Sequence, residues 1–294
     1  MLRVEESGRR RIAILSGVLA IFLGGMMLVG LIERMAGPAD ANSGPFDLAA
    51  ARKEMERSRE IRREAAVLGS KGRWQDAVRF LDSSAPQFGA MPFLRAEAAL
   101  RAGRFEEGKK GLLEFLPAED NVAHATRLIL EGKTEGYRTF VSRTIASVRE
   151  KNPDATTANN SAWVAALAPD ALDDYSDVIA LAKVGVVGAG EEDKATFLNT
   201  LGVLLFRAER YPEAVDCLLQ AEKINSDPFN WPFLAMSYRR MGKEKEASKY
   251  FNDLQGHLNK TFGSLPGPNR HELLLFYREA EAVFGPASPA TARS

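Results

Sequence analysis

The chain of 294 residues carries 39 basic and 39 acidic side chains, so its formal net charge is zero. That balance argues against nucleic acid as a partner, which normally selects a basic excess or a basic face. The single cysteine, Cys217, excludes an intrachain disulfide and a thiolate metal cluster; beside Leu218 it is expected to be a small buried residue.

Residues 1–11 hold Arg3, Arg9, Arg10 and Arg11. Ile12 to Ile32, IAILSGVLAIFLGGMMLVGLI, is 21 residues without a charge. As a helix it would measure roughly 31 Å, which matches a hydrocarbon core of ~30 Å and predicts a transmembrane helix over 12–32. Only Arg34 follows within the next fifteen residues. The positive-inside rule then puts residues 1–11 in the cytoplasm and the rest outside it, as a single-pass inner (cytoplasmic) membrane protein with an extracytoplasmic repeat domain. A cleavable signal peptide is the rival reading, because Ala39-Asp40-Ala41 has the small-x-small form, although the apolar run exceeds the usual ~7–15 residues. Ser16, Ala20 and Gly24, with Ala13 and Gly17 beside them, have the small-xxx-small spacing through which two spans associate. The lipid bilayer and a second copy of the span are therefore the partners expected of residues 12–32.

Residues 33–46 are rich in Ala, Gly, Pro, Asn and Ser and read as a linker. From Asp47 to Leu68 there is neither Gly nor Pro before Gly69, and the charges alternate in sign, as on a solvated helix laced with ion pairs. Residues 47–118 are expected to hold degenerate helix pairs. Lys71 to Val78 and Ala102 to Lys109 each place a glycine at the end of a first helix and an aromatic residue two positions on. Ala77 and Gly108 are the small seam positions. Pro86, Pro92 and Pro117 punctuate the helix ends. Region 119–190 reads as two helices, 119–133 and 134–151, a break at Asn152-Pro153-Asp154, and a further helix pair. That pair aligns with the next at a constant offset of 39: Asn160 with Asn199, Leu167 with Phe206, Ile179 with Leu218. Gly185, Gly188 and Gly190 are expected to form an extended connection. GVVGAGEED is not a phosphate loop, since it lacks a Lys-Ser/Thr pair and a βαβ setting.

The clearest pattern lies in 191–260. Leu198, Leu201, Gly202, Leu205, Ala214, Leu218 and Ala221 recur as Trp231, Leu234, Ala235, Tyr238, Ala247, Phe251 and Leu254. Gly202 and Ala235 are 33 apart, as are Ala214 and Ala247. Small residues fall where antiparallel helices approach, and large ones fill the seam. The segment resembles two tetratricopeptide (TPR) repeats, whose period is about 34. In 268–284, Leu273, Leu274, Phe276, Tyr277, Ala280 and Phe284 have helical spacing. This predicts a capping helix whose polar outer face is His271, Glu272, Arg278, Glu279 and Glu281. Residues 285–294 read as a disordered tail. The expected fold class is all-α: an N-terminal single transmembrane helix followed by a TPR-like α-solenoid of helix pairs.

Thr157-Ala158-Asn159-Asn160, Ala162-Trp163, Ala168-Pro169-Asp170-Ala171, Leu198 to Gly202, Phe233 to Met236 and Arg278 to Ala282 also stand out. Together they make the stretch from Tyr137 to Phe284 similar to the helical-repeat extension of planctomycete-type bacterial proteins, which often follows a serine/threonine kinase domain. The resemblance implies repeat architecture and a partner-binding role beside signalling proteins. It does not imply kinase activity, because the sequence has no HRD, no DFG and no glycine-rich nucleotide loop.

Catalytic patterns are thin. His124, His257 and His271 are isolated, and no HExxH or GxSxG occurs. Asp170, Asp173, Asp174 and Asp177 fit a helix start better than a calcium loop. No enzyme activity, cofactor or metal is expected. In the TPR family the concave surface is lined by fixed positions of each first helix. Carried over, these are Thr196, Asn199, Val203, Phe206 and Arg207, then Phe229, Pro232, Met236, Arg239 and Arg240, with Asn160 in the place of Asn199. The implied site is a groove for an extended protein or peptide segment with an acidic group: asparagines bond its backbone and arginines hold its carboxylate. The expected function is a membrane-anchored, non-catalytic interaction scaffold or adaptor. The alternatives are a cleaved, soluble extracytoplasmic adaptor and a non-catalytic signalling subunit with cytoplasmic repeats.

Overall fold

The computed structural model describes residues 48–84, 91–117, 120–267 and 269–285. These form thirteen α-helices, and no strand is found among the described residues. In chain order they are α1 (Leu48–Ser70), α2 (Trp74–Ser84), α3 (Met91–Arg101), α4 (Phe105–Leu113), α5 (Asn121–Leu130), α6 (Thr134–Arg149), α7 (Ala155–Ala166), α8 (Ser176–Gly188), α9 (Lys194–Arg207), α10 (Tyr211–Ile224), α11 (Trp231–Arg240), α12 (Glu244–Thr261) and α13 (Arg270–Phe284). The chain divides into two compact units at 57/58. Of the first unit only residues 48–57 are described; they are the opening turns of α1, and Arg52, Lys53, Glu56 and Arg57 are exposed. The second unit, from Ser58 onward, holds the rest of α1 and every later helix.

Odd and even helices from α1 to α12 make six pairs, and five of the turns within pairs are alike. Gly72, Gly103, Gly132 and Gly242 take φ of 68°, 78°, 70° and 71°, and Glu209 takes 59° at the same place. Each turn closes with two backbone bonds onto the end of its first helix, such as Gly242 N–H to the Arg239 carbonyl and Lys243 N–H to the Tyr238 carbonyl. This is the left-handed cap that leaves a helix end satisfied and reverses the chain. The seams carry the expected small residues. A Cβ on Gly202 would lie 2.6 Å from Leu218 Cγ of the facing helix, so α9 and α10 pack at backbone distance. Ala214, Leu218, Ala247 and Leu254 are fully buried in a core that runs from α3 to α13.

Three local expectations change. Gly185 and Gly188 lie within α8 rather than in a connection, because α8 passes the start of α7: a Cβ on Gly188 would sit 2.9 Å from Ala155 Cβ. Cys217 is half-buried, and burial pushes its thiol pKa up, away from reactivity. The capping helix, α13, does not present a polar outer face. Glu272 is buried and Arg278, Glu279 and Glu281 are half-buried, because α13 packs on α11 and is ringed by side chains from α3, α4, α7 and α9. The aspartate cluster is structural: Asp174 accepts from the Ser176 N–H at 2.8 Å just before α8, while Asp173 and Asp177 pair with Arg138 and Arg149 of α6.

The last helices also return to the first. Phe262, after α12, is buried with Ile61, Ala65, Ala77 and Leu81, and its ring meets Trp74 edge-on at 5.0 Å. Gly263 (φ 87°) is required there twice over, since a Cβ would lie 2.7 Å from both Ala66 Cβ and the Arg62 carbonyl. Arg270 of α13 donates to both carboxylate oxygens of Glu97 on α3, at 2.9 and 2.5 Å, with side chains only 9% and 2% exposed. Arg101 of α3 is held between the rings of Trp74 and Tyr277, at 4.2 and 5.0 Å.

The expected membrane placement is corrected. Among the described residues no helix is long and apolar enough to cross a membrane. The segment 12–32, the linker 33–46, Ala39-Asp40-Ala41 and the tail beyond 285 lie outside the described residues. A single-pass inner-membrane location is therefore not supported, and a bilayer partner and self-association through a span, which rest on residues 12–32, are not shown.

Candidate ligand-binding site

The odd-numbered helices from α5 to α13 bring their first turns, or in α7 a middle turn, around one cavity of ≈ 650 Å³. That size is typical of small-ligand and peptide side-chain sites. Its wall is largely amides and aromatics: Asn159, Asn160 and Trp163 of α7, Thr196 and Asn199 of α9, Phe229 and Asn230 at the start of α11, and Glu272 of α13.

Each element places its side chain for a local reason. Asp120 caps α5 by accepting from the Val122 N–H at 2.7 Å, and Asp227 turns the chain into α11 by accepting from the Phe229 N–H at 2.9 Å. Both carboxylates thereby reach the cavity wall. Asn199 donates to Asn230 Oδ1 at 2.7 Å, and Asn230 donates to Glu222 Oε1, also at 2.7 Å. Glu272 is 2% exposed and accepts from the indole N–H of Trp163 at 2.6 Å. Burial, aided by the nearby charge of Asp120 and only partly offset by the Trp163 bond, pushes its carboxyl pKa up to about 7. Beneath it Phe276 packs edge-on against Trp163, Phe229 and Phe233, at 5.6, 6.1 and 4.8 Å.

Of the residues carried over to the groove, the cavity wall includes Asn160, Asn199, Phe229 and Thr196. It does not include Val203, Phe206, Pro232 or Met236, which are buried in the core. Nor does it include the arginines. The Arg207 side chain is 2% exposed, pairs with Glu279 of α13 through two nitrogens, and donates to the Ala166 carbonyl at 3.1 Å. Arg239 pairs with Glu244 and lies over the Phe284 ring, and Arg240 is exposed. The physical reason is α13: its apolar and acidic face occupies the surface that an open array would leave to a ligand. Glu272, Phe276 and Glu279 lie at i, i+4 and i+7, which is one helical stripe. Among the described residues no group of three His, Cys, Asp or Glu side chains is placed to hold a metal ion.

No family profile matches the sequence, and no curated protein matches it. Among solved structures, MamA from AMB-1 aligns at 16% identity over 69% of this chain and 92% of its own, with a TM-score of 0.32. MamA from MSR-1 aligns at 17% identity over 69% of this chain and 97% of its own, also with a TM-score of 0.32. The tetratricopeptide-type fold of this chain stands on its own turns, seams and helix pairs.

Proposed function

We propose that this protein is a non-catalytic interaction scaffold that holds a segment of a protein partner in the amide-lined cavity. One observation carries the reading. Five helices far apart in sequence converge on a single concavity whose wall combines hydrogen-bonding amides with the rings of Trp163 and Phe229. Amides match the donors and acceptors of a polypeptide backbone, and aromatic faces take its side chains. A role beside signalling proteins rests on the sequence resemblance over residues 137–284. The test is selection of a random peptide library on the full chain, with recovered peptides measured by fluorescence anisotropy. Asn160 is exposed on the rim, so Asn160→Trp fills the mouth without disturbing the core. The variant should keep its helix content and lose at least tenfold in affinity. Undiminished binding to the folded variant would refute the assignment.

A further inference from the structure

The hydrogen bonds beneath the cavity have a direction. A carboxylate only accepts, so Glu222 Oε1 fixes the Asn230 amide with its Nδ2 inward, at 2.7 Å. Asn230 then offers Oδ1 to its other neighbour, and Asn199 must donate to it. This leaves Asn199, 7% exposed, with its Oδ1 on the cavity wall and no partner for that oxygen among the described residues. Three carboxyl groups on the wall have the same sense. Glu272, Asp120 and Asp227 each use one oxygen to accept from Trp163, Val122 and Phe229, and each side chain lines the cavity. No lysine or arginine lines it; the basic side chain on the wall is the imidazole of His271, 4.0 Å from Glu272 Oε1. The partial positive charge at the start of α5, which would otherwise attract an anion, is already met by Asp120. Acceptors on a cavity wall that face no protein donor are open to a ligand that supplies one.

We propose that the cavity takes a basic side chain, a lysine or arginine, from the partner segment; this rests on the peptide-binding function proposed for the same cavity and specifies its chemistry. The aliphatic stem lies against the rings of Trp163 and Phe229, and the cationic head reaches Asn199 Oδ1 and the carboxylates of Asp120 and Asp227. An ammonium or guanidinium beside an indole face gains further from the ring's negative face. This is the opposite charge from that implied by the family's arginine-lined groove. It follows from α13, which has drawn Arg207 into its pair with Glu279.

The experiment compares two pools of labelled ten-residue peptides on the full chain. One pool has lysine or arginine fixed at the centre, the other aspartate or glutamate, and all other positions are random. Thr196→Lys places a cation on the exposed rim, and Asp227→Asn removes a carboxylate from the wall while its Oδ1 can still accept from the Phe229 N–H. The basic pool should bind, and both variants, with unchanged helix content, should weaken it at least tenfold. Should the acidic pool bind instead, strengthened by Thr196→Lys, the basic ligand is overturned while peptide binding stands. If neither pool binds, both proposals fall. Binding of the basic pool that neither variant changes overturns this assignment by placing the contact elsewhere.

Discussion

Replacing Glu272 by glutamine should stabilise the protein, and more so as the pH rises. The carboxyl pKa goes from 4.5 in the unfolded chain to about 7 in the fold, because ionising it means placing a charge at a 2% exposed site near Asp120. Below pH 4.5 both states hold the proton and nothing is lost. As the pH rises from there to about 7, the unfolded state ionises while the folded state resists, so the wild type loses stability; above about 7 the loss is complete. At about 1.4 kcal/mol per pKa unit, the full loss is about 3 kcal/mol. Glutamine cannot ionise, and its carbonyl can still accept the Trp163 N–H. The stability difference between variant and wild type, from urea unfolding followed by circular dichroism, should therefore grow by about 2–3 kcal/mol between pH 5 and pH 8.5. A difference that stays constant within about 0.5 kcal/mol across that range would show that Glu272 is not held protonated by its surroundings.

Three other outcomes are expected. Ala247→Leu, at a fully buried seam position, should overpack α11 against α12 and cost about 1–3 kcal/mol; an unchanged thermal midpoint would contradict the repeat register. Gly242→Ala meets no neighbouring atom, so its cost of about 1–2 kcal/mol should be pure backbone strain at φ 71°, and Glu209→Gly should act in the stabilising direction at the equivalent turn; equal urea midpoints for all three proteins would rule this out. Glu97→Leu leaves Arg270 buried without its carboxylate and should cost about 3–5 kcal/mol, most of which Arg270→Met added to it should restore. A single variant within about 1 kcal/mol of wild type would mean that the pair is already hydrated.

The helix pairs were legible because each repeat writes its own contacts locally. Gly202 faces Leu218 within one pair, and Gly72, Gly103 and Gly132 follow one another a helix pair apart, so spacing alone exposes them. The helical spacing of Leu273, Phe276 and Ala280 likewise revealed α13, but not its destination. A capping helix and a helix laid into the concave surface have the same periodicity, and Glu272 and Glu279 read locally as a solvated face until their partners Trp163 and Arg207 are known. Asn160 and Asn199 were found through family positions. Asn230 and Glu272 were not, because their roles come from partners 31 and 109 residues away, Asn199 and Trp163. The arginines were misplaced for a related reason: an open groove was assumed where Glu279 already holds Arg207.

The return of Phe262, Gly263 and Arg270 to the first helices alters what kind of array this is. An open row of repeats behaves as a one-dimensional chain of neighbours, able to fray from either end and to gain or lose units. Here the Arg270–Glu97 bond spans 173 residues and the Arg101–Asn259 bond 158. Neither terminal pair can open without exposing the other, which points to a single cooperative unfolding transition rather than stepwise melting. Closing so long a loop has an entropic cost that purely local helix pairs avoid, so folding should be slower than helical content alone suggests. The same closure constrains evolution: a duplicated pair would hold the two ends apart, so the number of pairs is set by geometry and not free to drift.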